Sequence, residues 1–417
     1  MDGQGMTDSD FLFLLIASTA IDLAAAGAVL VIARLRRPGE TLRASITPWR
    51  VLQMLVAAGL VFLAKLPILH RLGLGIFGLI HLIYLDTALL LPLAGTALLL
   101  SKAPTNRAAG KRWTTIPLRA VSVVAIAAAP AAAYARWIEP FRLQLETVRI
   151  PISTERSGRD PVRIGVLADI QTDRISDHER EAVAEMMKLS PDVIVLPGDL
   201  FQAFSREQAT AALPAIRELL SGLSAPGGVY FVLGDVDESD FIRRAIRGTA
   251  VRLLENEIIQ TQIGDRQLTI GGVELAFGRP AARRIIDRLQ TEDGASDIRI
   301  LLSHRPDVVL KLGSERRIDL VVAGHTHGGQ VAIPLFGPPM TLTKVPRTAA
   351  AGGFHRINGE PIYISRGIGL ERGQAPRIRF LCPPEISLLR LEATVPMSES
   401  GPDAVTFRIS GQSGASD

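Results

Sequence analysis

The sequence predicts an α/β domain that follows an all-α transmembrane region, and three observations carry this prediction. Apolar runs long enough to cross a bilayer fill residues 1–140. From about residue 141, short β-branched runs alternate with amphipathic helical stretches. The first 140 residues hold 13 Lys and Arg against 7 Asp and Glu, whereas the rest holds 33 against 35. The 417-residue chain therefore combines two unlike parts.

Composition excludes several classes of protein. Hydrophobic residues make up 47% of the chain and charged residues only 21%, which is apolar for a soluble protein. The single cysteine, Cys382, excludes an intrachain disulfide framework, a zinc ribbon and a paired-cysteine redox motif. The net charge of +4 arises wholly in the apolar third, so we expect no nucleic-acid partner for the polar part.

Four apolar runs are expected to form transmembrane helices, at 11–33, 51–69, 74–100 and 116–137. The first is long enough to cross ~30 Å of hydrocarbon as a helix. It has no basic segment before it and is followed by further runs, which argues against a cleaved signal peptide. The third is long and contains Pro92, which predicts either one tilted, kinked helix or a span with an interfacial end.

The distribution of Lys and Arg predicts the orientation of these helices. The loops after the first run and before the fourth are basic, whereas the N-terminus is acidic. Basic loops stay in the cytoplasm, so both chain ends and the polar domain are expected outside a multi-pass cell (inner) membrane. Asp22, His81 and Asp86 lie within the runs, and we expect them to face neighbouring helices because they make no transport signature.

Residues 141–393 are expected to form one α/β domain and residues 394–417 a disordered tail. Three later runs, 267–275, 361–364 and 386–391, have a more antiparallel character and are expected to build a second sheet. Amphipathic helices are expected between the earlier runs, which are apolar enough to be buried on both faces. These earlier runs are 162–167, 192–196, 228–233, 298–302 and 319–322.

Each earlier run ends in a polar residue suited to metal or phosphate chemistry. In open α/β sheets ligands bind outside the carboxyl ends of strands, so these ends are expected to converge on one cleft. Three carboxylates and three imidazoles form a mixed set that suits Mn, Fe or Zn. Two such ions ~3.5–4 Å apart can clamp a phosphate and activate water. The residues are Asp169, Asp199, Asp235, His304, His325 and His327.

The run 324–330, Gly-His-Thr-His-Gly-Gly-Gln, gives the most specific signal. Two histidines flanked by glycines at the end of a buried strand are poorly explained by packing. Glycines also allow the backbone to turn sharply and to approach an anion closely. Alone, an Asp such as Asp169 is more often a helix N-cap, and a lone His304 is more often a structural histidine.

In combination and order, these motifs resemble the calcineurin-like metallophosphoesterases over residues 163–391. The segments Ser-Arg-Gly-Ile-Gly at 365–369 and Phe-Leu-Cys-Pro-Pro-Glu-Ile at 380–386 look like the membrane-associated bacterial branch of that family. The resemblance implies a four-layer α/β/β/α fold, a dinuclear centre of two divalent metal ions and hydrolysis of a phosphoester.

The resemblance also implies a role for each matching residue. Asp169 and His327 would bind the first metal ion, and His304 and His325 the second. Asp199 would bridge the two ions. Asp199, Asp235 and His325 form the expected catalytic set.

Two of the metal-binding positions depart from the family pattern. Asp235 stands where the family has an asparagine, and its charge should tighten cation binding while weakening attraction for a phosphate. Gln171 replaces the histidine of the usual Asp-x-His, and an amide oxygen is a harder, weaker ligand that favours Mg or Mn. Asp173, two residues further on, is a candidate to compensate.

Val236 replaces a histidine that in the family polarises the phosphate or protonates the leaving group. Valine does neither, and general-acid catalysis contributes about 10²–10⁴-fold. Arg366 and Arg305 are candidate phosphate contacts. A solvated or structural ion pair is an equally good interpretation of both arginines.

The leading hypothesis is a membrane-tethered hydrolase of a phosphomonoester, phosphodiester or diphosphate, acting through metal-activated water. Tethering suggests a substrate in or near the envelope, such as a lipid-linked phosphate. The alternative is a catalytically degenerate protein of the same fold that acts as a sensor or assembly factor, and Gln171 and Val236 motivate it. A transporter with an accessory domain rests only on the intramembrane charges.

Overall fold

The computed structural model describes residues 8–36, 46–101, 115–158, 160–291, 297–313, 317–393 and 406–409. Most of the basic-loop residues that predict the orientation lie outside these ranges, in 37–45 and 102–114. Most of the expected disordered tail also lies outside them, apart from a short strand, Thr406–Ile409. The chain divides into two compact units, Met1–Arg136 with Gly373–Arg377, and Trp137–Arg372 with Ile378–Asp417.

The first unit is helical. Its helices are α1 (Asp8–Leu35), α2 (Pro48–Arg71), α3 (Ile76–Leu100), α4 (Thr115–Ile126) and α5, which runs to the unit boundary (Ala128–Trp137). The described residues contain four stretches that are long and apolar enough to cross a membrane, in agreement with the four runs read from the sequence, and α3 is continuous through Pro92. These stretches are Ser9–Leu35, Pro48–Arg71, Ile76–Leu100 and Pro117–Phe141.

Polar side chains inside this unit meet partners on neighbouring segments. Asp22 on α1 forms an ion pair with Lys65 on α2, and the Lys65 ammonium also donates to the Ser18 carbonyl at 2.7 Å. Asp22 therefore faces a neighbouring helix, as the sequence suggests. Gln374 donates to the Gly73 carbonyl at 2.9 Å, so the segment Gly373–Arg377 is held at the turn between α2 and α3.

The second unit contains two mixed sheets. One has seven strands in the order β13-β1-β12-β2-β3-β4-β5, and the other has six in the order β10-β11-β9-β8-β7-β6. The strands are β1 (Gln144–Ile152), β2 (Val162–Val166), β3 (Val193–Leu196), β4 (Val229–Phe231), β5 (Val251–Leu253), β6 (Glu257–Ile263), β7 (Arg266–Gly272), β8 (Ile298–Leu302), β9 (Leu320–Ala323), β10 (Gly353–Ile357), β11 (Glu360–Ile364), β12 (Glu385–Ala393) and β13 (Thr406–Ile409).

Helices cover the outer face of each sheet. The expected amphipathic helices are present, and Ser176 caps α7 in a capping box in which its amide donates to Glu179 at 2.7 Å. The helices are α6 (Thr154–Ser157), α7 (Asp177–Lys188), α8 (Arg206–Ser221), α9 (Ser239–Ala245), α10 (Pro280–Thr291) and α11 (Arg347–Ala350).

Three apolar cores separate the four layers. The central core joins the two sheets and includes Ile164 of β2 and Ile300 of β8. An outer core packs the seven-stranded sheet against helices that include α7 and α8, with Met186 and Leu220 buried there. The other outer core packs the six-stranded sheet against α10, through residues such as Ile286. Successive strand residues point to opposite faces, and both faces are covered by a core, which is why these strands are apolar throughout. The expected α/β/β/α architecture is confirmed.

Membership of the two sheets differs from the expectation that the late strands build the second one. β8 and β9 lie in the six-stranded sheet, whereas β12 returns to the seven-stranded sheet between β1 and β2. β7, β11 and β12 each have one parallel and one antiparallel neighbour. A strand buried on both faces is apolar in either sheet, so its sequence does not specify its partners.

The strand ends that carry polar residues converge. β2, β3 and β4 are parallel in one sheet, and β8 and β9 are parallel in the other. Backbone hydrogen bonds join the loops that follow them, with the Asp169 amide donating to the Gly198 carbonyl at 3.1 Å and the Gly324 amide to the His304 carbonyl at 3.0 Å. Both sheets therefore present their carboxyl ends to one site.

Candidate metal centre

The loops at this site have an unusual backbone conformation. Left-handed φ is uncommon outside glycine and costs of order 1–3 kcal/mol per residue. Such residues persist only where the surroundings determine their conformation, and they cluster at functional sites. Five of the seven residues expected to bind metal adopt it: Asp169, Gln171, Asp199, His325 and His327.

Asp235, His304 and His325 form one cluster whose donor atoms lie within 4.8 Å of one another. Asp235 Oδ2 lies 2.9 Å from His325 Nδ1 and 3.4 Å from His304 Nε2. The two imidazole rings meet edge to face, with centroids 5.1 Å apart. This cluster joins the end of β4 to the ends of β8 and β9.

Asp169, Asp199 and His327 form a second, fully buried cluster. Asp199 adjoins both clusters, because its Oδ2 also lies 3.4 Å from His304 Nε2. The structure thus brings together the six carboxylates and imidazoles expected at the site, in two groups that share a border. Asp199 lies between the two groups, and a bridging role for it stays a prediction.

Backbone carbonyls set the orientation of the imidazoles. His304 Nδ1 lies 2.7 Å from the Pro197 carbonyl, which turns Nε2 towards the carboxylates. His325 Nε2 lies 3.4 Å from the Leu342 carbonyl, which leaves Nδ1 facing Asp235. Partners of this kind fix the ring orientation of metal-binding histidines.

Several donor atoms in these clusters are buried and have no hydrogen-bond partner among the described residues. They are Asp169 Oδ2, Gln171 Oε1, His304 Nε2 and both ring nitrogens of His327. An unpartnered buried polar atom costs about 1–3 kcal/mol. Carboxylate, imidazole and amide groups with open lone pairs are the ligands that divalent cations take. The residues present therefore fit two divalent metal ions.

The electrostatics of the clusters favour a cation. Burial raises the pKa of Asp169 to about 7. Burial opposes protonation of His304, but the adjacent carboxylates of Asp199, Asp235 and Asp169 outweigh it and raise the pKa of His304 to about 10. A divalent cation must displace these protons, so its affinity should rise with pH. Burial and then the nearby Arg379 lower the pKa of His327, which keeps this imidazole neutral and able to bind metal.

Gln171 is held by its amide nitrogen. Nε2 donates to Gln202 Oε1 at 3.0 Å and to Glu371 Oε1 at 3.4 Å, which leaves Oε1 unpartnered. The amide oxygen is therefore available where the family has an imidazole. Asp173, the candidate to compensate for this exchange, instead pairs with Arg372 at 2.9 Å.

Two supporting residues were missed by sequence reasoning. Asp237 accepts hydrogen bonds from the amides of Asp199, Leu200 and Gly234 at 2.8 to 2.9 Å, so it fixes the loop that carries Asp199. Its place in the run Gly-Asp-Val-Asp after β4 was the available signal. Glu371, which orients Gln171 across 200 residues of sequence, had no local signal.

Glycines make room for the carboxylates. A Cβ at residue 234 would lie 2.1 Å from Asp199 Oδ1, and one at residue 324 would lie 2.6 Å from Asp169 Oδ1. Because real side chains do not approach so closely, Gly234 and Gly324 let the loops pass directly against the ligand oxygens.

Val236 contributes its backbone to the site. Its amide donates to Asp199 Oδ1 at 2.9 Å, as part of the support for that carboxylate. Its side chain lines a groove of about 900 Å³ together with Phe201, Phe204 and Phe241. The position that bears a proton donor in the family thus presents an apolar side chain here.

The two candidate arginines differ in placement. Arg305 lies beside the site, where its Nε donates to Asp235 Oδ2 at 3.0 Å and its side chain is 44% exposed. Arg366 is 12% exposed, and its guanidinium pairs with Glu385 and, at 3.1 Å, with Glu146. Because buried carboxylates occupy its guanidinium, the structure favours the second interpretation of Arg366, a structural ion pair, over a phosphate contact.

One family model, several curated proteins and several solved structures are similar to this chain. Residues 162–329 match the family model described as calcineurin-like phosphoesterase. The chain is 27% identical to the metallophosphoesterase YkuE of Bacillus subtilis over 66% of this chain and 94% of that protein. It is 26% identical to the phosphodiesterase YaeI of Escherichia coli over 62% of this chain and 92% of that protein. A solved dimetal phosphatase from Danio rerio is similar at a TM-score of 0.30 and 14% identity, over 50% of this chain and 88% of that chain.

Replacement of Arg366 should affect stability first. The substitution Arg366→Met leaves Glu146 and Glu385 buried without their cation, which should lower the free energy of unfolding of the second unit by about 3–5 kcal/mol. The measurement is chemical unfolding of the full chain in detergent, followed by circular dichroism.

Arg149→Met is the matched control, because Arg149 is 63% exposed and pairs with Glu392 at the surface. It should change the free energy of unfolding by about 0–1 kcal/mol. A stable Arg366→Met protein with a raised KM would instead return Arg366 to a role in substrate binding.

Proposed function

This chain carries a calcineurin-like phosphoesterase domain at residues 162–329, and we propose that it is a membrane-tethered, metal-dependent phosphoesterase. The observation that carries the proposal is the pair of adjoining donor clusters at the carboxyl ends of both sheets. One relative is named a phosphodiesterase, which favours a phosphodiester over a phosphomonoester or diphosphate as the substrate.

Seven residues would hold two divalent ions. Bound there, Mn, Fe, Zn or Mg would neutralise phosphate oxygens and make water a better nucleophile. Gln171 favours Mg or Mn at the first position, since amide oxygen is a hard ligand. The first ion would take Asp169, Gln171, Asp199 and His327, and the second would share Asp199 and take Asp235, His304 and His325.

Several side-chain and backbone groups of the chain orient the carboxylate that lies between the clusters and would contact a bound phosphate. Asp237 and the Val236 amide hold Asp199 between the clusters, so the shared carboxylate keeps one orientation. Arg305 is half-exposed beside Asp235 and would add a charge-assisted hydrogen bond to a bound phosphate. Val236 supplies no proton to the departing oxygen, so the site favours esters whose leaving group needs none.

The proposed location of the domain at the membrane suggests the class of its substrate. Four apolar helices tether the domain, and the basic loops would keep it on the extracytoplasmic side of the cell membrane. An enzyme held at the membrane meets envelope lipids at high local concentration, so a lipid-linked phosphoester is the substrate that we propose.

Loss of a metal ligand should abolish activity. The full chain, purified in detergent, should bind divalent metal and hydrolyse bis-(p-nitrophenyl) phosphate with Mn²⁺. Asp199→Ala and His325→Ala should each lower kcat/KM by more than about 100-fold, since even the groups behind metal ligands are worth 10–100-fold. Bound metal is measured by mass spectrometry and the rate by absorbance.

Asp287→Ala and His355→Ala are the matched controls. Asp287 is exposed on α10, and His355 lies on β10 with its ring at 3.0 Å from the Gly352 carbonyl. Both controls should keep metal and activity. No bound metal in the wild type, or equal residual rates in all variants, would reject the hydrolase and favour the sensor or assembly factor.

Restoring the family's two histidines should raise the rate. Val236→His introduces a general acid, which is worth about 10²–10⁴-fold for a poor leaving group. Gln171→His introduces a stronger ligand for the first ion. The double variant Gln171→His, Val236→His should therefore hydrolyse alkyl phosphodiesters faster than the wild type. An unchanged rate would show that neither exchange limits turnover.

The orientation of the chain makes a separate prediction. A C-terminal alkaline phosphatase fusion should be active, because that enzyme folds only outside the cytoplasm, whereas a C-terminal green fluorescent protein fusion should be dark. Fusions after residue 40, in the first basic loop, serve as the control and should give the opposite pair of signals. A fluorescent C-terminal fusion would place the domain in the cytoplasm.

A further inference from the structure

A closed turn close behind the metal-binding run carries exposed apolar side chains. The amides of Gly337 and Phe336 both donate to the Ile333 carbonyl, at 2.8 and 3.0 Å, so the turn is closed on itself. Leu335 at its tip is fully exposed in a left-handed conformation, and Ile333 and Phe336 are about half exposed. The domain leaves these apolar side chains largely uncovered, and exposed apolar patches of this kind are typical of interaction surfaces.

Backbone hydrogen bonds connect this turn to a second exposed apolar residue. The Ala332 amide donates to the Phe380 carbonyl at 2.8 Å, which places the turn beside Leu381. Leu381 is also half exposed, and its amide donates to Glu139 Oε2 at 2.9 Å. Glu139 itself is buried, so its carboxylate serves the backbone and adds little charge to the surface.

Glu139 leads to a third set of exposed apolar residues, on either side of it in the chain. Trp137 is 68% exposed, and Ile138 and Phe141 are more than half exposed. These residues end the fourth membrane-length stretch, Pro117–Phe141. Trp at the end of such a stretch is typical of the membrane–water interface.

We propose that these three sets form one docking face that rests on the lipid bilayer. The face is continuous: it begins where a membrane-length stretch ends and extends through Leu381 to the turn at 333–336. An apolar surface attached to the end of such a stretch meets headgroups and acyl chains before it meets any soluble partner. The face consists of Trp137, Ile138, Phe141, Leu381, Ile333, Leu335 and Phe336.

Basic side chains border the face. The Arg347 guanidinium lies over the Phe336 ring at 3.9 Å from its centroid, and Lys344 is exposed nearby in the chain. Cations beside exposed aromatic and aliphatic residues match the anionic headgroups of a membrane surface. We therefore expect the partner of the docking face to be an anionic lipid surface.

Docking would bring the metal centre to the lipid headgroups. The turn follows the run 324–330 after two residues, and the Leu342 carbonyl lies 3.4 Å from His325 Nε2. A phosphoester in the bilayer interface would reach the clusters without leaving the membrane. This consequence for the substrate rests on the proposed function, whereas docking itself does not.

A fluorescent probe on the turn tests the face in the full chain. Leu335→Cys can be labelled with a nitrobenzoxadiazole dye, because the native Cys382 is 3% exposed and the unsubstituted chain gives the blank. Phe336→Cys is a second position on the face. Asp265→Cys is the control, since residue 265 precedes β7 at the edge opposite the strand ends of the site. Circular dichroism confirms folding of each variant.

The labelled chains are reconstituted in vesicles of phosphatidylcholine and phosphatidylglycerol with doxyl-labelled phosphatidylcholine. The dye at 335 and 336 should shift to the blue and lose intensity to the doxyl groups, whereas the dye at 265 should keep both. Equal quenching at 265, or none at 335 and 336, would overturn the proposal. A shift that depends on protein density but not on doxyl lipid would assign the face to a second copy of the chain. Quenching in a chain without phosphoesterase activity would leave the docking face in place.

Discussion

The electrostatic repulsion between the buried carboxylates of Asp169 and Asp199 is the constraint on which the site depends. These carboxylates come from neighbouring loops, and both are buried. Without a cation, such a group is kept only by protonation, and the raised pKa of His304 reflects that requirement. The left-handed backbone that holds the carboxylates together costs free energy, and the binding of divalent metal ions would offset this cost.

The sequence indicates the candidate donors because their signals are local. A buried strand followed by Asp or His, and a glycine-flanked pair of histidines, can be read within ten residues. Sheet membership and supporting contacts depend instead on distant partners. Glu146 contacts Arg366 across 220 residues of sequence, and Glu371 contacts Gln171 across 200. No local sequence pattern around either glutamate indicates which residue it contacts. For the same reason the sequence leaves open whether Arg366 contacts a phosphate or forms a structural ion pair.

The two departures from the family pattern have different structural consequences. Gln171 keeps a donor oxygen in place because Gln202 and Glu371 bind its amide nitrogen, so the exchange alters ligand strength more than ligand position. Val236 keeps the backbone hydrogen bond to Asp199 and loses the proton donor. Under the proposed function, the site would therefore hold cations better than it would supply an acid, which would restrict it to a small set of leaving groups.

Truncation at a single point of the chain cannot separate the two units, because the segment Gly373–Arg377 belongs to the first unit. It lies within the C-terminal sequence, yet it belongs to the helical unit, where Gln374 binds the turn between α2 and α3. A fragment that begins near residue 137 would therefore lose the partners of this segment, immediately after Glu371 and Arg372. Removal of residues 1–136 would release the segment next to Glu371, whose carboxylate accepts a hydrogen bond from the Gln171 amide nitrogen. We therefore expect tests of the proposed site to depend on the use of the full chain.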